Sequence, residues 1–346
     1  MESRVLVTGG AGFLGRHLAA ALAERNLPVT VVDNLSGAAS TFDCDELRSP
    51  SIDCILGDVG DRALTQSLVT SHRFVVHFAS VVGVEETIRR PFDTARNLGG
   101  TLNVVEALTP EHVALFGSSA DIYGLHSRIY GRPMREDDLT LFESPSVNRW
   151  VYPKIKALEE NLFDNSPAST VNVRIFNTYG PEMDIARPQR LIPQFLSRIR
   201  SRKPLRVSLT GLQRRALCYY EDMIRGFLLA LRHAERSPGA SCTVNLGATD
   251  CRPVIEIAQL TMKLAVEVGL LDRPLPIETQ AHLYSQPFDD SWDRSPDIAR
   301  ARTLLGFAPT TNLEDGLRQT LAAYADIARV PRYEEEARPL RVAHAS

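Results

Sequence analysis

The stretch Val5-Leu-Val-Thr-Gly-Gly-Ala-Gly-Phe-Leu-Gly15 decides the fold. Its apolar and β-branched start reads as a buried strand, glycines at 9, 12 and 15 follow, and helical spacing runs over Gly12–Arg25. Each glycine has a task that a side chain would obstruct. Gly9 permits the tight turn, Gly12 lets a pyrophosphate approach the backbone, and Gly15 lets helix pack closely on strand. Three glycines alone are a weak sign, and context gives them weight. A second strand-like run ends in Asp33 of Val31-Val-Asp-Asn34, where an acid accepts hydrogen bonds from the adenosine ribose hydroxyls of a dinucleotide. The same carboxylate repels a 2′-phosphate, so the expected cofactor is NAD rather than NADP. Asp58, in Gly57-Asp-Val59, either reaches the adenine edge or caps the helix that begins near Asp61 and Arg62.

Outward from this loop, short β-branched runs (Arg4–Val7, Val29–Val32, Ile52–Leu56, Phe74–Phe78, Val113–Gly117, Val171–Ile175) alternate with helical patterns at Arg62–Thr70, Pro91–Leu108 and Arg149–Asn165. That alternation predicts an α/β fold, a doubly wound parallel sheet of the Rossmann type. After Asn177 the rhythm changes, and helical spacing near Leu191–Arg202, Asp222–His233, Pro253–Val268 and Asn312–Ala328 predicts a smaller, mostly helical part over the carboxyl edge of the sheet. The expected division is a dinucleotide-binding domain over 1–176, joined again by about 208–245, a substrate domain over 177–330, and a loose tail over 331–346. The stretch His126–Pro145 has no periodicity and is expected to be a long loop over the site.

Composition narrows the class. With 346 residues, 44% hydrophobic and 23% charged, and a net charge of -3, the chain resembles an ordinary globular protein with no electrostatic reason to bind nucleic acid or a membrane surface. The five cysteines are scattered and never in C-x-x-C spacing, so neither a metal site nor a disulfide framework is suggested. No basic-then-apolar leader precedes Arg4, and no run approaches the roughly 18 apolar residues of a membrane span. A cytoplasmic protein with a small-molecule ligand is the expectation.

Tyr152 and Lys156 are candidates for the chemistry. Four apart in a predicted helix, they share a face. A phenol with a pKa of about 10 is a poor base at neutral pH, but an adjacent ammonium and a positive nicotinamide ring stabilise its phenolate. By spacing alone such a pair is an ordinary surface pair. Its company changes that, because Ser118-Ser-Ala-Asp-Ile-Tyr-Gly124 stands at the end of the fifth strand, on the edge where such sheets place ligands.

Thr8-Gly-Gly-Ala-Gly-Phe-Leu-Gly15, His77-Phe-Ala-Ser80, Ser118-Ser-Ala-Asp-Ile-Tyr-Gly124, Tyr152-x-x-x-Lys156 and Arg174-Ile-Phe-Asn-Thr-Tyr-Gly-Pro181 together resemble an extended short-chain dehydrogenase/reductase. Gln213-Arg-Arg215, Tyr219-Tyr-Glu-Asp222, Val244-Asn-Leu-Gly247 and Pro296-Asp-Ile298 extend the likeness over nearly all of residues 4–325, within the nucleotide-sugar epimerase, dehydratase and decarboxylase branch. The resemblance implies that Tyr152 takes a sugar hydroxyl proton, Lys156 holds the nicotinamide ribose and lowers the Tyr pKa, and Ser119 hydrogen-bonds the reacting oxygen. It completes the cofactor set with Phe13, Leu14, Asn34, Val59, Phe78, Ala79, Ser80 and Asn97, the last of which could equally be polar packing within a helix. Asn177 and Arg215 match positions that contact the sugar-nucleotide diphosphate; in a strand one of Arg214 and Arg215 must point elsewhere. Arg294 serves the same end or a substrate carboxylate. The helices Pro91–Leu108 and Arg149–Asn165 correspond to those that pair relatives into a homodimer.

The residues after Ser119 bear on the reaction. Dehydratases of this branch carry an Asp-Glu pair where this chain has Ala120 and Asp121, and alanine donates no proton, which disfavours dehydration. Decarboxylases carry Ser-Glu or a similar pair there, so Asp121 keeps a catalytic carboxylate but shortens it by a methylene. Ser119-Ala120 resembles the 4-epimerases, whose keto sugar turns over and takes hydride back on its other face. Epimerisation is the expected reaction, decarboxylation a close second, and a catalytically silent NAD-binding sensor is disfavoured by the retention of Ser119, Tyr152 and Lys156.

Overall fold

The computed structural model describes residues 4–37, 40–183, 185, 190–281, 292–327 and 341–342. Six of the seven parallel strands at its centre come before residue 176: β1 (Val5–Thr8), β2 (Val29–Asp33), β3 (Ile52–Leu56), β4 (Phe74–His77), β5 (Val113–Ser119) and β6 (Ser169–Ile175). The seventh, Ser241–Leu246, pairs beside β6, and the order across the sheet is then β6, β5, β4, β1, β2, β3. Of the tail, only Arg341–Val342 falls among the described residues, and it pairs with Ile55 and Leu56 of β3.

Strand residues alternate between the faces, and both faces are covered, which is why these strands are nearly continuous in apolar residues. Val5, Val7, Val31, Leu115 and Val173 enter one core with Leu18 and Phe227. Leu6, Val32, Val75, Ala114 and Phe116 enter the other with Val104 and Phe163. β1 has β2 on one side and β4 on the other, so the chain reverses its winding there and leaves a crevice at the strands' carboxyl ends.

The helices that flank the crevice are α1 (Phe13–Ala23), α2 (Arg62–Thr70), α3 (Val84–Arg89), α4 (Pro91–Ala95), α5 (Asn97–Glu106) and α6 (Val151–Asp164). The single helix expected over Pro91–Leu108 is therefore two, and α3 precedes them. Arg90 separates α3 from α4 with φ -133° and ψ 59°, outside the helical region that a following proline disfavours. A short 3₁₀ turn, Asn148–Trp150, leads into α6, whose Pro153 sits in the first turn, where its missing N–H costs nothing.

The smaller part packs helices Leu191–Arg200, Val254–Glu267 and Leu313–Ile327 around Phe195, Leu205, Ile257 and Leu317. It is less purely helical than its periodicity predicts. Leu205–Ser208 pairs with Ile277–Gln280, and Arg214–Ala216 lies between Cys251–Pro253 and Asp293–Arg294. Pieces of two to four residues are too short to show a period of two. Helix Tyr220–Arg236 packs on β5 and β6, next to the Ser241–Leu246 strand. No helix among the described residues is long and apolar enough to cross a membrane.

Candidate active site

A cavity of about 1150 Å³ opens at the crevice, and every residue singled out from the sequence for cofactor or substrate lies on its wall. Gly9 has φ +67°, and a Cβ there would stand 2.6 Å from the Ala79 amide nitrogen. A Cβ on Gly15 would meet the Gly9 carbonyl oxygen at 2.5 Å, and one on Gly12, at the N-terminus of α1, would lie 3.2 Å from that oxygen. The turn is thus built around missing side chains, with free helix N–H groups facing the space where a pyrophosphate fits.

Asp33 ends β2 with its carboxylate accepting from the Ala11 amide at 3.1 Å and the Leu35 amide at 2.8 Å. Burial pushes its pKa up, and the two amides work against that. Asp58 does not cap α2. Asp61 does so, accepting from the Leu64 amide, while Asp58 accepts from the Asn34 side-chain amide at 2.7 Å and from Gly60 at 2.7 Å. Asn34 and Asp58 thereby join the loops after β2 and β3 along the cavity rim. Asn97 is no mere packing residue either: its amide clamps the Val81 backbone, accepting at 2.7 Å and donating at 3.1 Å, and so holds the loop after β4. In that loop the buried Ser80 hydroxyl has no hydrogen-bond partner among the described residues and lines the cavity. Glycine cradle, ribose-facing acid and orphaned hydroxyl all fit a dinucleotide.

At the far end of the cavity α6 presents Tyr152 and Lys156. The Lys156 ammonium is 1% exposed, 5.8 Å from the centre of the Tyr152 ring, 4.5 Å from that of Phe116 and 3.0 Å from the Glu159 carboxylate. Burial pushes the Tyr152 pKa up, and Lys156 pulls it down. Asp121 and Glu159 raise it further, and Arg190, which also lines the cavity, opposes them. Ser119 accepts a hydrogen bond from the Asp121 amide at 3.1 Å, which turns the chain after β5 and leaves the serine proton available for donation.

Asp121 is tightly held. Its two oxygens meet Arg149 at 3.1 Å and Arg294 at 2.6 Å. Burial alone would raise its pKa, but Arg149 and Arg294, helped by Arg215, hold it down at about 2. It is therefore a permanent anion at neutral pH. Arg215 lines the cavity with its guanidinium on the Trp292 carbonyl, while Arg214 turns away to the Cys251 carbonyl at 2.7 Å. That is the division a strand imposes on neighbours. Asn177 lines the same end.

Glu159 and Arg190 were not singled out in the sequence, and Arg149 entered only as the first residue of the segment that runs to Lys156. Arg149 lies three before Tyr152, a spacing that could have placed it on the same side, and Glu159 lies three after Lys156. Arg190, in a Pro- and Arg-rich stretch without periodicity, offered no comparable signal.

The model of the NAD dependent epimerase/dehydratase family matches residues 5–247, more than half of the chain. The chain belongs to that family. NAD is its cofactor, and the family's reactions begin from nucleotide-activated sugars. Among relatives of this family member is the UDP-N-acetyl-alpha-D-glucosaminuronate decarboxylase of Bacillus cytotoxicus, 31% identical over 94% of this chain and 99% of that protein. UDP-glucuronate 4-epimerase 4 of Arabidopsis thaliana is 28% identical over 92% of this chain and 75% of its own length. UDP-glucuronic acid 4-epimerase from Bacillus cereus, solved with UDP-glucuronic acid and NAD, has the same fold with a TM-score of 0.78 and 24% identity, covering 94% of this chain and 99% of that one.

Proposed function

We propose that this chain decarboxylates a uridine-diphosphate-activated uronic sugar through a 4-keto stage. The observation that carries the reading is the Asp121 carboxylate, held ionised between Arg149 and Arg294 in the chamber that holds Tyr152. Arg149, Arg190, Arg215 and Arg294 surround one aspartate there, an excess of positive charge suited to a substrate that carries both a diphosphate and a carboxylate. Relatives named for UDP-linked uronates point to the same substrate class.

Tyr152, its acidity increased by Lys156, removes the proton of the sugar's 4-hydroxyl, and Ser119 donates a hydrogen bond to that oxygen. NAD in the glycine cradle supplies the hydride acceptor and, at the end, the hydride donor. The 4-keto sugar then carries its carboxylate β to a ketone. The bond between C5 and C6 breaks, carbon dioxide leaves, the electron pair moves into the C4 oxygen, and a proton from solvent reaches C5 as the C4 carbonyl re-forms; when C4 is reduced again, Tyr152 returns its proton to the C4 oxygen. Asp121 does not give that proton, because a carboxyl held at about 2 carries none at neutral pH. It acts as fixed charge instead, orienting Arg149 and Arg294 and repelling a carboxylate that is about to leave as a neutral molecule.

A second reading is 4-epimerisation, favoured by Ala120, which offers no proton donor beside Ser119. In that case the keto sugar rotates and is reduced on its other face. On either reading we propose a homodimer, supported by Phe92 on α4, Leu102 on α5 and Leu158 on α6, which lie exposed on packed helices. Incubation with NAD and UDP-glucuronate or its 2-acetamido counterpart, followed by mass spectrometry and NMR, tests the assignment. The expected product is lighter by one carbon dioxide; unchanged mass with inverted C4 would overturn decarboxylation in favour of epimerisation.

A further inference from the structure

Behind Lys156 runs a buried chain of side chains that the reaction as described does not use. The Lys156 ammonium faces Oε2 of Glu159 at 3.0 Å, and Oε1 of Glu159 accepts from the Thr101 hydroxyl at 2.6 Å. Thr101, having given its proton, can only accept from Nε2 of His77 at 3.0 Å, so that nitrogen carries the ring proton. Nδ1 of His77 then accepts from the Thr8 hydroxyl at 2.7 Å, and Thr8 in turn accepts from the Ala79 amide at 3.3 Å. Every donor along the chain is thereby assigned, and Thr8, His77, Thr101, Glu159 and Lys156 are each no more than 1% exposed. The chain starts beside the glycine turn that follows β1 and ends on the lysine next to Tyr152.

We propose that Glu159 is a positioning residue for the reaction. Its carboxylate anchors Lys156 and sets how much of the lysine's charge Tyr152 feels, and Thr101, His77 and Thr8 lock that carboxylate to the strand that carries the cofactor loop. The proposal rests on Tyr152 being the proton acceptor, but not on which sugar is turned over. Glu159 is charged, buried and paired with one cation, so it opposes the lysine's effect on the phenol, and burial keeps water from screening it. The neutral imidazole follows from the same geometry: burial and the nearby Lys156 push the His77 pKa down to about 3, and only one ring nitrogen has an acceptor. The other charged groups facing Tyr152 are Asp121 after β5 and Arg190 ahead of helix Leu191–Arg200, with Arg149 and Arg294 reaching it through Asp121.

Glu159→Gln keeps the shape and an acceptor for Thr101 while removing the charge. Phenolate absorbance is titrated in the NAD-bound protein, with the same titration of a Tyr152→Phe background subtracted, so that only Tyr152 is read. The Tyr152 midpoint is expected to fall by about half a pH unit or more, a roughly threefold gain in acidity. The acid limb of kcat/KM against pH is expected to move down by the same amount. A midpoint that stays or rises, in a variant whose circular dichroism and NAD affinity match the parent, overturns the proposal. Thr101→Val, which cuts the chain without removing charge, is the second variant: a fall in midpoint there equal to that of Glu159→Gln would assign the effect to packing and also overturn it. Near-normal turnover in Tyr152→Phe itself would overturn the underlying assignment of Tyr152 as proton acceptor, and with it the proposal, whatever Glu159→Gln does to the midpoint.

Discussion

Replacing Asp121 by asparagine is the most direct test of the charge arrangement in the active site. In the folded chain the Asp121 carboxyl is brought from an ordinary 3.8 down to about 2 by Arg149 and Arg294, against the opposing effect of burial. That difference corresponds to about 2 kcal/mol of stability at neutral pH. The sign follows from linkage: with the folded value depressed, the contribution is complete above the unfolded value and disappears as pH falls from about 4 toward about 2. The variant also weakens the pairing of Arg149, which is 1% exposed, and that adds to the cost, so about 2 kcal/mol is a lower figure. Urea unfolding of both proteins at a series of pH values between about 7 and 3 measures it. The parent's advantage is expected to be at least about 2 kcal/mol near pH 7 and to shrink below about pH 4. Equal stability near neutrality, or a difference that does not change on acidification, would refute the claim that Asp121 is a permanently ionised, doubly paired group.

Two further substitutions test the cofactor cradle and the proton acceptor. Tyr152→Phe should keep NAD binding and lower turnover by roughly 10²-fold or more, measured by product formation under saturating substrate; near-normal turnover would remove Tyr152 from the mechanism. Gly9→Ala forces a Cβ onto a residue with φ +67° and to within 2.6 Å of the Ala79 amide, so NAD affinity measured by calorimetry should drop by about tenfold or more, with about 1–2 kcal/mol lost from the fold.

Much of this protein is legible in local sequence because its signals are local in the chain. A strand, three glycines and a helix occupy Val5 to Ala23, and their conformational demands can be read without knowing what packs above them. Tyr152 and Lys156 share a face by helical geometry, and Ser119 lies at a strand end by the alternation of elements. Local periodicity was less able to see that Pro91–Leu108 is two helices, or that short strands thread the smaller part. Those depend on a one-residue break at Arg96, between Ala95 and Asn97, and on pairings too brief to leave a pattern.

An NAD-binding doubly wound sheet, and the residues able to begin an oxidation, can be read from the chain alone because glycine placement and residue spacing constrain the backbone directly. What surrounds those residues emerges only on folding. Arg294 reaches Asp121 across 173 positions of chain, Glu159 reaches Thr8 through residues on β4 and α5, and Asn97 at the start of α5 pins Val81 in the loop after β4. Such contacts set charge and proton position, and no periodicity records them, since a side chain's electrostatic environment is made by whatever the fold brings within a few ångströms. That is why Asp121, a shortened carboxylate in the sequence, becomes in the folded chain an anion held between two arginines.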